Sequence, residues 1–436
     1  MKPSALFQPW ASRAMQWQQS TNLMLILAGL IQRGFGFLTT LVLARLAGIE
    51  SVGLYTGLQI SASTITTPVS VPLANSATLV TARHLGHSGL RSLLAAHTGA
   101  LGLTALSVVM ACVALTHFSD LSDKAQSLWP WWAPFLCVGL LALSQLLSQV
   151  MAGLFHGAGR GLPVARLTLA STGLGIVMCW PVVHLAGVPG LLGLSIAVVT
   201  LPALVMMRQA WQDDAPHSAS PTDQDLKASV WQGARDALPS VASTLIRNGA
   251  SWFCCIYLAQ TLHGAAGVGI VSIGLQWMML MQFPISALGG RMVADLGQAS
   301  LIGDQALRHG TQRWIKRCLW TTALISAGVA LASPVIIWLY KQSGSPLLWI
   351  LLINAAVSVI ISLTYVQERV FFCREWQKRW LVLSLLGDLA QVAFTLMLAH
   401  HSILIIAAGG LVSSTLVMVG GFWMLREPFN SSSKQS

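Results

Sequence analysis

Two arginines and one aspartate in this sequence stand inside long apolar runs, where an ionised side chain is costly. Arg33 lies about twelve residues from one end of its run and about fifteen from the other; at ~1.5 Å per helical residue that is roughly 18 and 22 Å. An arginine side chain spans only part of such a distance, so a charge at that depth points to a pathway or a binding site. Arg247 is shallower, about eight residues from the nearer end of its run, and reaching toward that interface competes with a cavity-facing role. Asp388 is the one acid clearly in mid-run, with Gln391 a helical turn further on. It suits a coupling proton or sodium ion, or a pair with a buried donor.

The two arginines sit in related segments. Leu30-Ile31-Gln32-Arg33-Gly34 corresponds to Leu245-Ile246-Arg247-Asn248-Gly249, and the match continues in order: Leu43-Ala44 with Leu258-Ala259, Val52-Gly53 with Val268-Gly269, Gly57-Leu58-Gln59 with Gly274-Leu275-Gln276, and Pro68 with Pro284. An internal repeat of this kind predicts two parallel halves facing each other across a central cavity. Arg33 and Arg247, flanked by Gln32 and Asn248, would then aim donors at one hollow. Guanidinium forks bind phosphate oxygens bidentately, so the ligand they imply is an anion, such as a phosphate. Gln59, Asn75 and Gln276, on the second helix of each half, offer the neutral hydrogen bonds that sugar hydroxyls accept; bonds between packed helices are the plainer reading of each one singly. Arg291, at the inner end of its run, either lines a vestibule or anchors the helix. Glu368 and Arg369 fall at a helix end, where an exposed ion pair is ordinary.

The elements that must carry these residues follow from hydropathy. The 436 residues are 54% hydrophobic and only 9% charged, against about 25% charged in soluble domains. Runs of the ~20 apolar residues needed to cross a bilayer recur near 21–47, 54–82, 92–117, 129–154, 162–184 and 187–208, and again near 238–262, 266–291, 318–340, 346–367, 379–400 and 403–425. The fold expected is an all-α polytopic membrane protein of about twelve helices in two six-helix bundles, 1–210 and 231–436, joined by a polar cytoplasmic linker at 211–230. With both termini placed in the cytoplasm, twenty of the 25 basic residues fall on inner segments, leaving Arg45, Lys124 and Lys341 outside and Arg33 and Arg247 within spans. That partition is the positive-inside pattern, and a one-span error would scramble it.

Other readings are weaker. The net charge of +11 is spread between the runs, with no basic domain, so topology explains it and nucleic acid is not an expected partner. The seven cysteines lie within or at the ends of apolar runs, as small helix residues. Trp129, Trp131, Trp132, Trp314, Trp338, Trp376 and Trp423 fit an interfacial belt. The first twenty residues are polar and read as an interfacial start, not a cleaved signal. The glycines of Gly153 to Gly161 and Gly187 to Gly193 predict close helix packing and tight turns, and Pro68, Pro72 and Pro284 predict bends. No nucleophile triad, H-E-x-x-H pattern or nucleotide fingerprint occurs, and no metal or cofactor is expected.

The first hairpin (Leu30 to Gly34, Leu43-Ala44-Arg45-Leu46-Ala47-Gly48, Val52-Gly53-Leu54-Tyr55), the opening Gly187-Val188-Pro189-Gly190-Leu191-Leu192-Gly193-Leu194 of the sixth span and the second hairpin ending Val268-Gly269 resemble the Wzx-like polysaccharide flippases of the multidrug/oligosaccharidyl-lipid/polysaccharide (MOP) exporter superfamily. The resemblance covers essentially the whole chain through degenerate motifs. It implies a V-shaped, MATE-like transporter in the bacterial inner membrane that flips undecaprenyl-diphosphate-linked oligosaccharide for O-antigen or related glycans. Arg33 and Arg247 would receive the diphosphate, the lipid tail would stay in the bilayer among membrane lipids, and glycan polymerase and assembly proteins would be partners. An ion-coupled multidrug/cation antiporter of the same superfamily is the alternative, and would need acids in its cavity. A membrane glycan polymerase or ligase is a third, disfavoured by the short outer connections.

Overall fold

The computed structural model describes residues 8–84, 90–117, 129–212, 223–260, 264–342, 345–374, 376–398 and 400–431. Among them the chain is all-helical, without strands: α1 (Gln8–Ala47), α2 (Ile49–His84), α3 (Leu90–His117), α4 (Ala133–Gly157), α5 (Gly161–Gln212), α6 (Asp223–Gln260), α7 (Gly264–Ile302), α8 (Asp304–Leu339), α9 (Ser345–Cys373), α10 (Gln377–Leu398) and α11 (Leu404–Ser431). Eight of these are long and apolar enough to cross a membrane by length and composition. The protein is a multi-pass membrane protein.

Each expected span falls on a helix, and two of them share α5. That element has 52 residues, and a straight helix of that length would reach ~78 Å, more than twice the hydrocarbon thickness. It breaks at Gly187, where φ is 56° and ψ −137°, a conformation that glycine alone adopts readily. The tight turn expected there is thus a single-residue fold between two rods. The stretch 211–230, read as linker, is helical up to Gln212 and again from Asp223 onward. The helices α7 and α8 continue beyond their apolar runs because Met292, Leu296, Leu307 and Trp314 on the extensions bury into a common core with Val370, Phe371 and Trp380. Trp314 and Trp129 are therefore core residues, unlike the exposed Trp131, Trp132, Trp338 and Trp423, which keep the belt position. Trp320, Leu324, Leu331 and Trp338 form an exposed apolar stripe on α8, as a lipid-facing surface requires.

The described residues of 1–42, 61–118 and 125–242 form one compact unit, and those of 43–60 and 243–436 a second. In the first, Leu73, Ala77, Met151, Leu154, Phe155 and Met206 are central to the core. α2 is rich in serine and threonine, yet its hydroxyls answer to their own helix: Thr66 donates to the Ala62 carbonyl at 2.6 Å and Thr78 to the Ala74 carbonyl at 2.9 Å. Such bonding lets a polar helix lie in a medium that offers no water. Gly153 and Gly157 let α4 press on α2, since a Cβ at either would come within 2.4 Å of the Ala74 or Thr78 carbonyl oxygen; Thr78 also donates to the Gly153 carbonyl at 3.0 Å.

In the second unit, the start of α2 crosses the start of α7 backbone to backbone. A Cβ on Gly53 would lie 1.8 Å from the Ala265 carbonyl oxygen, and one on Gly269 would lie 2.4 Å from that of Ile49. The contact is reciprocal and joins the repeat-related pair Gly53 and Gly269, the close approach that small residues permit between membrane helices. Arg45, placed at an outer span end by the charge partition, caps α8: its guanidinium donates to the carbonyls of Leu339 and Trp338, the latter at 3.1 Å, and stacks 5.1 Å from the Trp338 ring centroid. Cationic donors suit the free carbonyls and negative pole of a helix C-terminus.

Candidate functional site

The second unit encloses a cavity of about 300 Å³. Helical spacing decides what faces it. α6 contributes Arg247, Ser251 and Cys254; α9 contributes Asn354, Ile361, Tyr365 and Glu368; α10 contributes Ser384, Asp388 and Gln391. Each set recurs at three-, four- or seven-residue intervals and so occupies one helical face. α7 adds apolar Leu275 and Met278, and α11 adds Ser413 and Ser414. Glycines set the depth of two polar groups. Gly387 lets α10 lie on α11, a Cβ there coming 2.5 Å from Val417 and 3.1 Å from the Ser413 hydroxyl, which seats the adjacent Asp388. Gly274 leaves room for the Asn354 amide, whose nitrogen would be 2.8 Å from a Cβ at that position.

The charges in this cavity are of both signs. Arg247 is close enough to interact electrostatically with the half-buried Asp388, yet among the described residues no direct ion pair joins Arg247 to Asp388 or Glu368. Arg369 does not face the cavity but donates to the Tyr365 hydroxyl at 3.2 Å and lies 4.7 Å over its ring, fixing a phenol that does line it. Asn354 is only 4% exposed, and its side-chain amide has no hydrogen-bond partner among the described residues. One guanidinium, two carboxylates, two amides and a phenol line this space, a set that can hold a small cation on an acid and an anionic group on the arginine.

Of the residues singled out in the sequence as buried polar groups, the cavity brings together Arg247, Asp388 and Gln391. Asn248 is half-buried on α6 and is not among the cavity's lining residues. Gln59 is half-buried, and its amide donates to the Tyr55 hydroxyl of the preceding turn at 2.7 Å. Gln276 is half-buried on α7 and also engaged. Arg33 and Gln32 are exposed on α1 and Asn75 is exposed on α2, all in the first unit; Arg33 also has contacts within the protein. The side chain of Arg291 lies outside the described ones. Glu368, Asn354 and Tyr365 were not foreseen as site residues. Their signal was the seven-, four- and three-residue spacing from Asn354 to Glu368, which passes unnoticed when Glu368 is assigned to a helix end.

No family model and no curated protein matches this sequence. Solved structures do. An inward-facing multidrug resistance MATE family transporter of the MOP superfamily superposes with a TM-score of 0.75 at 16% identity, over 93% of this chain and 96% of that one. The outward-facing conformation of such a transporter gives a TM-score of 0.63 at 16% identity over 95% of each chain. A MOP superfamily transporter from Pyrococcus furiosus, whose binding pocket of reverse polarity suggests a different function, gives 0.64 at 17% identity over 93% of this chain and 95% of that one. The fold is that of the MOP superfamily transporters of the MATE kind, now established by superposition.

Proposed function

We propose that the protein is an ion-coupled transporter that flips an anionic lipid-linked oligosaccharide, of the undecaprenyl-diphosphate class, across the bacterial inner membrane by alternating access, with both termini cytoplasmic. The observation that carries this reading is the exposure of Gln32 and Arg33 deep along α1, with Asn75 exposed on α2. A cationic guanidinium at that depth marks a polar pathway or binding site, one suited to receive an anion. Diphosphate matches its fork. In the second unit, Asp388 and Glu368 would hold the coupling proton or sodium ion, and Arg247 would engage phosphate.

A second reading, export of cationic drugs, is favoured by the two carboxylates that share one cavity with a single arginine. Flipping of a fluorescent polyprenyl-diphosphate oligosaccharide by proteoliposomes separates the two. Arg33→Ala should lower the flipping rate about 10- to 100-fold, the worth of ~1.5–3 kcal/mol for hydrogen bonds to a charged group. Absence of glycan flipping by the unaltered protein would remove the anionic cargo, unchanged flipping by Arg33→Ala at normal abundance would remove Arg33 from its recognition, and uptake of a cationic dye with no glycan flipping would establish the second reading.

A further inference from the structure

The cavity of the second unit holds more acid than base, and its arginine is committed to neither acid. The titratable groups lining it are Arg247, Cys254 and Cys255 on α6, Tyr365 and Glu368 on α9, and Asp388 on α10; the lining faces of α7 and α11 carry none. Arg247 is exposed to this space, feels Asp388 electrostatically and forms no direct ion pair with it. Asn354, only 4% exposed, adds a side-chain amide to the same wall. A guanidinium placed near a carboxylate but not locked to it is open to competition from any other cation that binds that carboxylate.

We propose that Arg247 is a counter-charge shared between Asp388 and the cargo: with Asp388 bare it neutralises that carboxylate, and with a small cation on Asp388 it is released to bind a diphosphate. The idea rests on the anionic cargo named above and adds how cargo and coupling ion sense one another. Because each ligand relieves the other's competitor, their binding is mutually favourable. Linkage requires the effect to be equal in both directions. An aspartate replaced by its neutral amide stands in for the cation-neutralised state, whether the cation is sodium or a proton.

The test is a double-mutant cycle read by binding of inorganic pyrophosphate to the purified full-length protein in detergent, at fixed pH and ionic strength. Asp388→Asn should bind pyrophosphate at least fivefold more tightly than the unaltered protein in the absence of sodium, the lower end of ordinary coupling between sites. Arg247→Gln should bind weakly, and adding Asp388→Asn to it should recover little. Arg247→Lys, which keeps the charge without the fork, should retain the gain from Asp388→Asn at lower absolute affinity, provided elution and thermal unfolding show the variants folded. If sodium is the coupling cation, pyrophosphate should tighten sodium binding by the factor by which sodium tightens pyrophosphate.

An equal gain from Asp388→Asn with and without Arg247 would overturn the proposal, since simple removal of a negative charge would then explain it. So would no gain at all, or no pyrophosphate binding by any variant. The cargo reading is judged separately by glycan flipping and Arg33→Ala, which leave this cavity untouched. Free pyrophosphate and a short polyprenyl diphosphate, compared on Asp388→Asn, tell whether the site recognises the diphosphate alone or needs the lipid carrier.

Discussion

A single methyl group at Gly53 should unseat the crossing of α2 on α7. A Cβ placed there would lie 1.8 Å from the Ala265 carbonyl oxygen, 2.7 Å from its carbon and 3.1 Å from the Gly269 nitrogen. These neighbours are backbone, so no side chain can swing away; the helices must part by roughly 1.5 Å to restore an ordinary contact near 3.4 Å. Overpacking of this kind costs about 1–3 kcal/mol, while alanine in place of helical glycine returns up to ~1 kcal/mol. The net expected for Gly53→Ala is a loss of about 1–2 kcal/mol. Gly328→Ala on α8, where nothing lies within 4 Å of the added atom, isolates the propensity term and should be neutral or stabilising. Gly269→Ala, whose Cβ would meet the Ile49 carbonyl oxygen at 2.4 Å, should behave like Gly53→Ala. The double variant should cost less than the sum, because both methyls wedge the same crossing. Thermal unfolding in detergent, at ~2–4 °C per kcal/mol for chains of a few hundred residues, reads these differences. A Gly53→Ala protein that melts at or above the temperature of Gly328→Ala would refute the close backbone contact.

Further outcomes follow from the same geometry. Arg45→Ala should cost about 1.5–3 kcal/mol, the range for hydrogen bonds to a charged group, because the carbonyls of Trp338 and Leu339 lose their donor; Arg45→Lys should recover part of it, and unaltered thermal stability of Arg45→Ala would show the cap to be idle. Gly187→Ala should cost about 1–3 kcal/mol as backbone strain, since φ there is 56° with ψ −137°, and should show as reduced folded yield on size-exclusion chromatography. A normal yield would mean that α5 can bend without this residue.

What the amino-acid sequence determines by itself is what local chemistry determines. Apolar runs long enough to span a bilayer became helices, and Gly187 followed by Pro189 marked the fold in α5. Each of these depends on a residue and its neighbours along the chain, because the bilayer acts on every segment alike. The repeat was legible too, and Gly53 and Gly269, matched by sequence, meet each other in the second unit. Tertiary structure decided which way a side chain faces and what it meets there. Arg45 lies at a span end either way, but only the arrival of the α8 C-terminus turns it into a cap. Gln59 finds Tyr55 on its own helix, whereas Asp388 and Arg247, far apart in the chain, are brought to one cavity. Glu368 joins them because α9 buries its opposite face through Val366 and Val370. Depth in a membrane is written in hydropathy; the partners that receive each polar group depend on helices distant in sequence, and packing alone selects them.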